Sequence, residues 1–84
     1  MLPSVMKVTP AEDYLLSIDF DTGEQGTLDM KPYLDFGVFQ RLKNRSSFER
    51  VRVVFDTIGW DTGVDLDPEF VYVKCQIEKG IKRS

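Results

Sequence analysis

Histidine does not occur anywhere in the 84 residues. Its absence removes the commonest general base and the commonest metal ligand together. Neither a Ser-His-Asp nor a Cys-His arrangement can be assembled, so no catalytic residue is assigned. Cysteine occurs once, at Cys75, which excludes an internal disulfide. One thiol and no imidazole also cannot close a tetrahedral zinc site. No glycine-rich stretch matches a phosphate-binding loop. The longest apolar run falls far short of the roughly 20 residues that span a bilayer. No signal peptide is recognisable, and Cys75 stands among Val71, Val73 and Ile77, where a buried structural thiol is expected. Both features lead us to expect a reducing, cytoplasmic compartment, and the missing imidazole and phosphate loop lead us to expect no cofactor.

What is present describes a small globular domain. The length suits one domain over 1–84, with its core between about 4 and 79 and a frayed basic tail at 80–84. Apolar residues make up 42% of the chain and charged residues 30%. Ten aromatic side chains, six Phe, three Tyr and one Trp, argue against disorder. The net charge is −3, whereas a nucleic-acid module carries a basic stripe. A mild basic cluster at Arg41, Lys43, Arg45, Arg50 and Arg52 reads more readily as the solvated face of a helix and its neighbour.

Periodicity predicts an α+β fold. Val5 to Thr9 is β-rich and closed by Pro10, while Tyr14, Leu16, Ile18 and Phe20 fall on one side of a period-two pattern with Ser17 and Asp19 opposite, as in a half-buried strand. Asp21-Thr22-Gly23 offers a turn with glycine at positive φ, so an antiparallel hairpin is expected over 14–29, with Leu28 and Met30 inward and Gly26 at a bulge or close approach. Asp29 is placed to cap a short helical turn carrying Tyr33 and Leu34, which Gly37 interrupts. Val38, Phe39 and Leu42 then fall at helical spacing. Ser46-Ser47-Phe48-Glu49 has the wording of a capping box opening a short helix over about 46–50. Phe36, Phe39, Leu42 and Phe48 are expected to cover one face of the sheet.

Val51, Val53 and Phe55 read as a further strand, turned at Asp56-Thr57 into a return strand with Ile58 and Trp60. Asp61-Thr62-Gly63 repeats the wording of 21–23, for which turn chemistry is sufficient cause. Asp67-Pro68-Glu69 is a helix start, and Phe70, Val73, Lys74 and Ile77 share one helix face up to a stop at Gly80. The competing reading of Phe70 to Cys75 is a strand, and the Asp67 cap favours the helix. The expected product is a small antiparallel sheet, built from an N-terminal and a second hairpin, covered by short helices and ending in a C-terminal helix.

Carboxylates are the remaining chemistry. Asp61, Asp65, Asp67 and Glu69 lie within nine residues, and their oxygens suit calcium or magnesium. The spacing lacks the register of an EF-hand, and turn, loop, cap and dipole roles account for each acid singly. Asp19, Asp21 and Glu24 read as a solvated hairpin tip. Trp60 and Tyr72 suit either an exposed interaction patch or the core, while Tyr14 and Tyr33 suit the core.

The hairpin Tyr14-Leu-Leu-Ser-Ile-Asp-Phe-Asp-Thr-Gly-Glu24, then Leu28-Asp-Met-Lys-Pro-Tyr-Leu34, the Leu42-Lys-Asn-Arg-Ser-Ser-Phe-Glu-Arg-Val-Arg-Val53 stretch and Trp60 to Glu69 together carry a resemblance. From about Val5 to Tyr72 the chain resembles the small bacterial domains grouped as domain of unknown function 2442. Its most specific part is Trp60 to Glu69, where Gly63, Asp65 and Pro68 match the family's turn, aspartate and helix start. The resemblance implies an α+β fold and no established activity. Its members stand alone, are fused to a helix-turn-helix domain, or are encoded beside another small protein in a toxin–antitoxin-like arrangement.

From these readings we expect a non-enzymatic interaction or accessory module, in one version antitoxin-like, that binds another protein or itself through a sheet edge or through Trp60, Asp61, Gly63, Asp65 and Tyr72. The alternative is a regulatory domain that binds a ligand or divalent metal on Asp61, Asp65, Asp67 and Glu69. Nucleic-acid binding through the Arg41–Arg52 cluster ranks below both.

Overall fold

The alternating stretch at 14–20 pairs as its pattern requires. In the computed structural model, which describes residues 2–78, strand β2 (Leu15–Phe20) is antiparallel to β3 (Gln25–Asp29), with Leu16 opposite Leu28 and Ile18 opposite Gly26. Leu16, Ile18, Phe20 and Leu28 are buried, Ser17 is exposed and Asp19 is half-buried. Gly23 closes the loop at φ +90°, its N–H donating to the Phe20 carbonyl at 3.0 Å. Strand β1 (Val5–Pro10) pairs antiparallel with β2, and its register shifts between Val5 and Lys7, leaving Met6 as the extra residue of a bulge. The bulge therefore lies at Met6, while Gly26 sits in unbroken register between Ile18 and Ile77.

After β3 the chain is built of tight 3-10 turns. Asp29 Oδ1 accepts from the Lys31 N–H at 2.9 Å beside the turn Lys31–Tyr33. Gly37, at φ +51°, opens the longer turn Gly37–Lys43, whose single buried side chain is Leu42. Phe36 and Val38 are exposed, so the aromatic cover expected from Phe36 is supplied by Phe48 and Trp60 instead. Helix α1 (Arg45–Phe48) is capped two residues earlier than the Ser46 wording suggests: Asn44 Oδ1 accepts from the Ser47 N–H at 3.2 Å. Asparagine is at least as good a cap as serine, and starting at Asn44 turns Phe48 into the core.

The second hairpin forms a separate two-stranded sheet of β4 (Arg52–Val54) and β5 (Thr57–Gly59). Its loop is Phe55-Asp56, not Asp56-Thr57, so Phe55 is lifted out of the strand pattern and stands exposed. The chain then turns through Asp61-Thr62-Gly63 and runs back along β5: Trp60 N–H donates to Val64 O at 2.8 Å and Leu66 N–H to Ile58 O at 3.1 Å. Gly63 takes φ +94° and donates to the Trp60 carbonyl at 3.0 Å, the same bond and conformation as Gly23 with Phe20. The two Asp-Thr-Gly segments are thus the same turn used twice.

Asp67 caps helix α2 (Pro68–Lys74), its Oδ2 accepting from the Phe70 N–H at 3.1 Å, so this segment is helical. The helix is shorter than expected and buries a different face. Val71 and Cys75 are buried and Val73 is exposed, while Gln76–Glu78 leaves the helix as β6 and pairs with Gln25–Thr27 of β3. The open outer edge of β3 offers hydrogen-bond partners that a last helical turn in solvent does not. The larger sheet runs in the order β1-β2-β3-β6. Gly80 and the basic tail lie outside the described residues.

Trp60 is 1% exposed, and its Nε1–H donates to the Phe48 carbonyl at 2.9 Å. The bond joins the second hairpin to α1 in the middle of the core. Replacing Trp60 by Phe removes this bond and leaves a gap. It is expected to lower stability by about 2 kcal/mol, read from urea unfolding at unchanged m-value.

Candidate functional site

The residues singled out in the sequence separate once folded. Trp60 is core and offers nothing to a partner, which corrects its place in the expected interaction segment. Tyr72 is half-buried, its ring meeting Phe20 edge-on at 5.3 Å and its hydroxyl donating to both oxygens of Glu24 at 2.9 and 3.1 Å. Asp61 pairs with Arg50 Nε at 3.3 Å, and Gly63 makes the turn. Asp65 bridges antiparallel to Gly59, and a methyl built on Gly59 would stand 2.2 Å from Asp65 Oδ1. A side chain at 59 would have to push the Asp65 carboxylate aside and would press on Val54 Cγ2 at 3.1 Å, a close approach the sequence did not announce.

The four acids of the 61–69 segment do not converge: Asp61 faces Arg50, Asp67 caps α2 and Glu69 stands exposed in its first turn. Among the described residues no group of three or more His, Cys, Asp or Glu side chains is arranged to hold a metal ion. At the other acidic tip, Asp21 Oδ1 accepts from the Ser4 N–H and Glu24 holds Thr22 and Tyr72.

Four of the five basic residues are occupied within the chain. Arg41 reaches the Thr62 carbonyl, Lys43 pairs with Asp35 at 2.6 Å and Arg50 with Asp61, while Arg52 is exposed on β4. Arg45 does most: its Nε pairs with Glu49 at 2.9 Å, its Nη2 donates to the Ala11 carbonyl, and its guanidinium lies 5.1 Å from the Phe48 ring centre and 5.5 Å from that of Tyr14. It braces a strained passage, because Asp13 and Tyr14 both have positive φ, +61° and +59°. Only a planar fork makes the stacking and the two bonds together. Arg45→Lys is therefore expected to lose most of what Arg45→Ala loses, about 1–2 kcal/mol by chemical denaturation.

Two surface features emerged only in three dimensions. Phe55 is 97% exposed, in a two-residue loop and at φ +56°, and Val5 N–H donates to the carbonyl of its neighbour Asp56 at 3.1 Å. The exposed Met6 adjoins Val5 in the chain, so hairpin tip and bulge belong to one corner. The second feature is a cleft of about 260 Å³ lined by Tyr33, Phe39, Leu66 and Phe70, with Asp65 and Asp67 among its walls. Little in the sequence signals either: Phe55 continues the alternation of Val51 and Val53, and Tyr33, Phe39 and Phe70 lie on three separate short elements.

Together these features define a small α+β domain of two antiparallel sheets closed by short helices. The chain belongs to the family described as "Protein of unknown function (DUF2442)", whose family model matches residues 5–76. No curated protein and no solved structure matches it. Among the described residues no helix is long and apolar enough to cross a membrane.

Two groups set an alkaline limit. Burial pushes the Cys75 thiol up from its ordinary 9.0 to about 11. The hydrogen bond to Glu24, then burial, then the Glu24 charge raise Tyr72. In both, the folded state holds the proton more tightly than the unfolded chain. The stability they contribute is complete below the ordinary pKa and is lost as pH rises through the folded value. Wild type is expected to lose on the order of 2 kcal/mol more than Cys75→Ala between pH 9 and 11, read from urea unfolding at each pH.

Proposed function

We propose that the protein is a non-enzymatic interaction module whose contact point is the corner formed by Phe55 and Met6. The observation that carries this reading is Phe55 itself: a large apolar ring, 97% exposed, held at φ +56°. Either property alone is unfavourable. A bulky side chain in the left-handed region costs about 1 kcal/mol, and asparagine or glycine is the usual occupant of such a hairpin position. A ring that strains its own loop and faces water contributes nothing to this fold, whereas aromatic side chains are enriched where partners dock.

The mode of contact follows from the edge it adjoins. β1 is an outer strand, yet the bulge at Met6, the Asp56 carbonyl bonded to Val5 N–H and Pro10 at its end blunt the edge against strand addition. Side-chain docking supports recognition here better than β-pairing does. The gene-neighbour pattern implied by the family resemblance favours an accessory or antitoxin-like role, and the solitary buried thiol suits a reducing cytoplasm.

The test is a substitution that repairs the loop while removing the ring. Phe55→Asn is expected to raise stability by about 0.5–1 kcal/mol and to lower the amount of a co-purifying protein, or of a second copy, by about tenfold. The measurement is quantitative comparison of what the tagged wild type and variant retain from the native host, with light scattering for self-association. Equal recovery by both proteins, or a wild type that is monomeric and retains nothing, overturns the reading.

A further inference from the structure

We propose that the cleft between the 33–39 segment and the start of α2 binds the guanidinium of an arginine side chain presented by a partner protein. This rests on observations separate from the Phe55 corner. Tyr33, Phe39 and Phe70 are half-buried, and the rings of Tyr33 and Phe70 meet edge-to-face with centroids 5.1 Å apart, so their outer surfaces line an open apolar slot over Leu66. At about 260 Å³ the slot is smaller than the ~300–1,000 Å³ of sites for drug-sized ligands, which fits one side chain rather than a cofactor.

Its charge chooses the side chain. Asp65 and Asp67 line the slot, and among the described residues neither is in an ion pair. Asp67 Oδ2 accepts from the Phe70 N–H and Asp65 Oδ1 lies against Gly59, which leaves Asp67 Oδ1 and Asp65 Oδ2 for a cation. The positive end of the short helix α2 opposes a cation only weakly, because the Asp67 charge already sits over it. A guanidinium is flat, stacks on aromatic rings and bonds carboxylates through two parallel N–H groups, whereas an ammonium is a strongly hydrated point charge.

The protein contains this arrangement once already, completed. Arg45 lies over Tyr14 and Phe48 and pairs with Glu49. The cleft presents the same receptor, aromatic rings and carboxylates, with no guanidinium of the chain among its lining residues.

The test uses the full-length protein, labelled with 15N, and a blocked Gly-Arg-Gly peptide beside its lysine and norleucine counterparts. The arginine peptide is expected to shift the Phe39, Leu66 and Phe70 amides saturably, the lysine peptide more weakly and the norleucine peptide not at all. Added salt weakens the binding. Asp65→Asn, which keeps size and shape, raises the dissociation constant two- to fivefold, and Phe39→Leu, which keeps the apolar wall but removes a ring, weakens it independently. Phe55→Asn leaves the titration unchanged, so failure here and failure of the hairpin corner are told apart. No saturable shift at these amides, or equal response to the norleucine peptide, overturns the proposal.

Discussion

The indole of Trp60 holds the two halves of this protein together. Its N–H is bonded to the Phe48 carbonyl and its ring lies 6.2 Å from that of Phe48, so α1 and the second hairpin are fixed to each other inside the core. Phe48 in turn meets Tyr14 edge-on at 5.0 Å, and Arg45 lies over both rings. A chain of aromatic contacts therefore runs from the second sheet to the start of the first. A domain of this size buries a smaller share of its surface than a large one does, and few side chains are large enough to span its interior. That burden explains why the only tryptophan is spent on the core and not on recognition.

With the interior so committed, the surface features that remain acquire meaning by contrast. Thr57, a buried polar residue, donates to the Leu66 carbonyl at 2.8 Å, and four carboxylates are each held by a neighbouring lysine or arginine. These polar groups stitch turns and short helices, as expected where regular elements are short and many backbone groups lack a ladder partner. Phe55 stands apart because it does not serve the interior, and the Tyr33–Phe39–Phe70 cleft because its rings pack on the core by one side and line an open slot with the other.

Much of the fold was legible where the determinants are local. The 15–29 hairpin follows from period-two alternation and a glycine at positive φ, and the start of α2 from Asp67-Pro68, because each depends on neighbours within a few positions. Legibility failed where distant contacts decide. Ile77 fits a helix face by spacing but lies in a strand, because β3 has an unpaired edge to offer. Phe55 continues the alternation of Val51 and Val53, yet a two-residue loop ends the pattern one residue sooner. The candidate site was the least legible part. Proximity in sequence grouped Trp60, Asp61 and Tyr72, while folding dispersed them and gathered Tyr33, Phe39 and Phe70 from three separate elements.

The burial of Cys75 has a practical consequence. With its sulfur shut away and its proton held up to about 11, the native thiol is scarcely nucleophilic at neutral pH. Alkylating and maleimide reagents are expected to react with the folded protein far more slowly than with one that carries an exposed cysteine. A spectroscopic probe can therefore be attached at any chosen surface position through one introduced cysteine, with the original residue left in place.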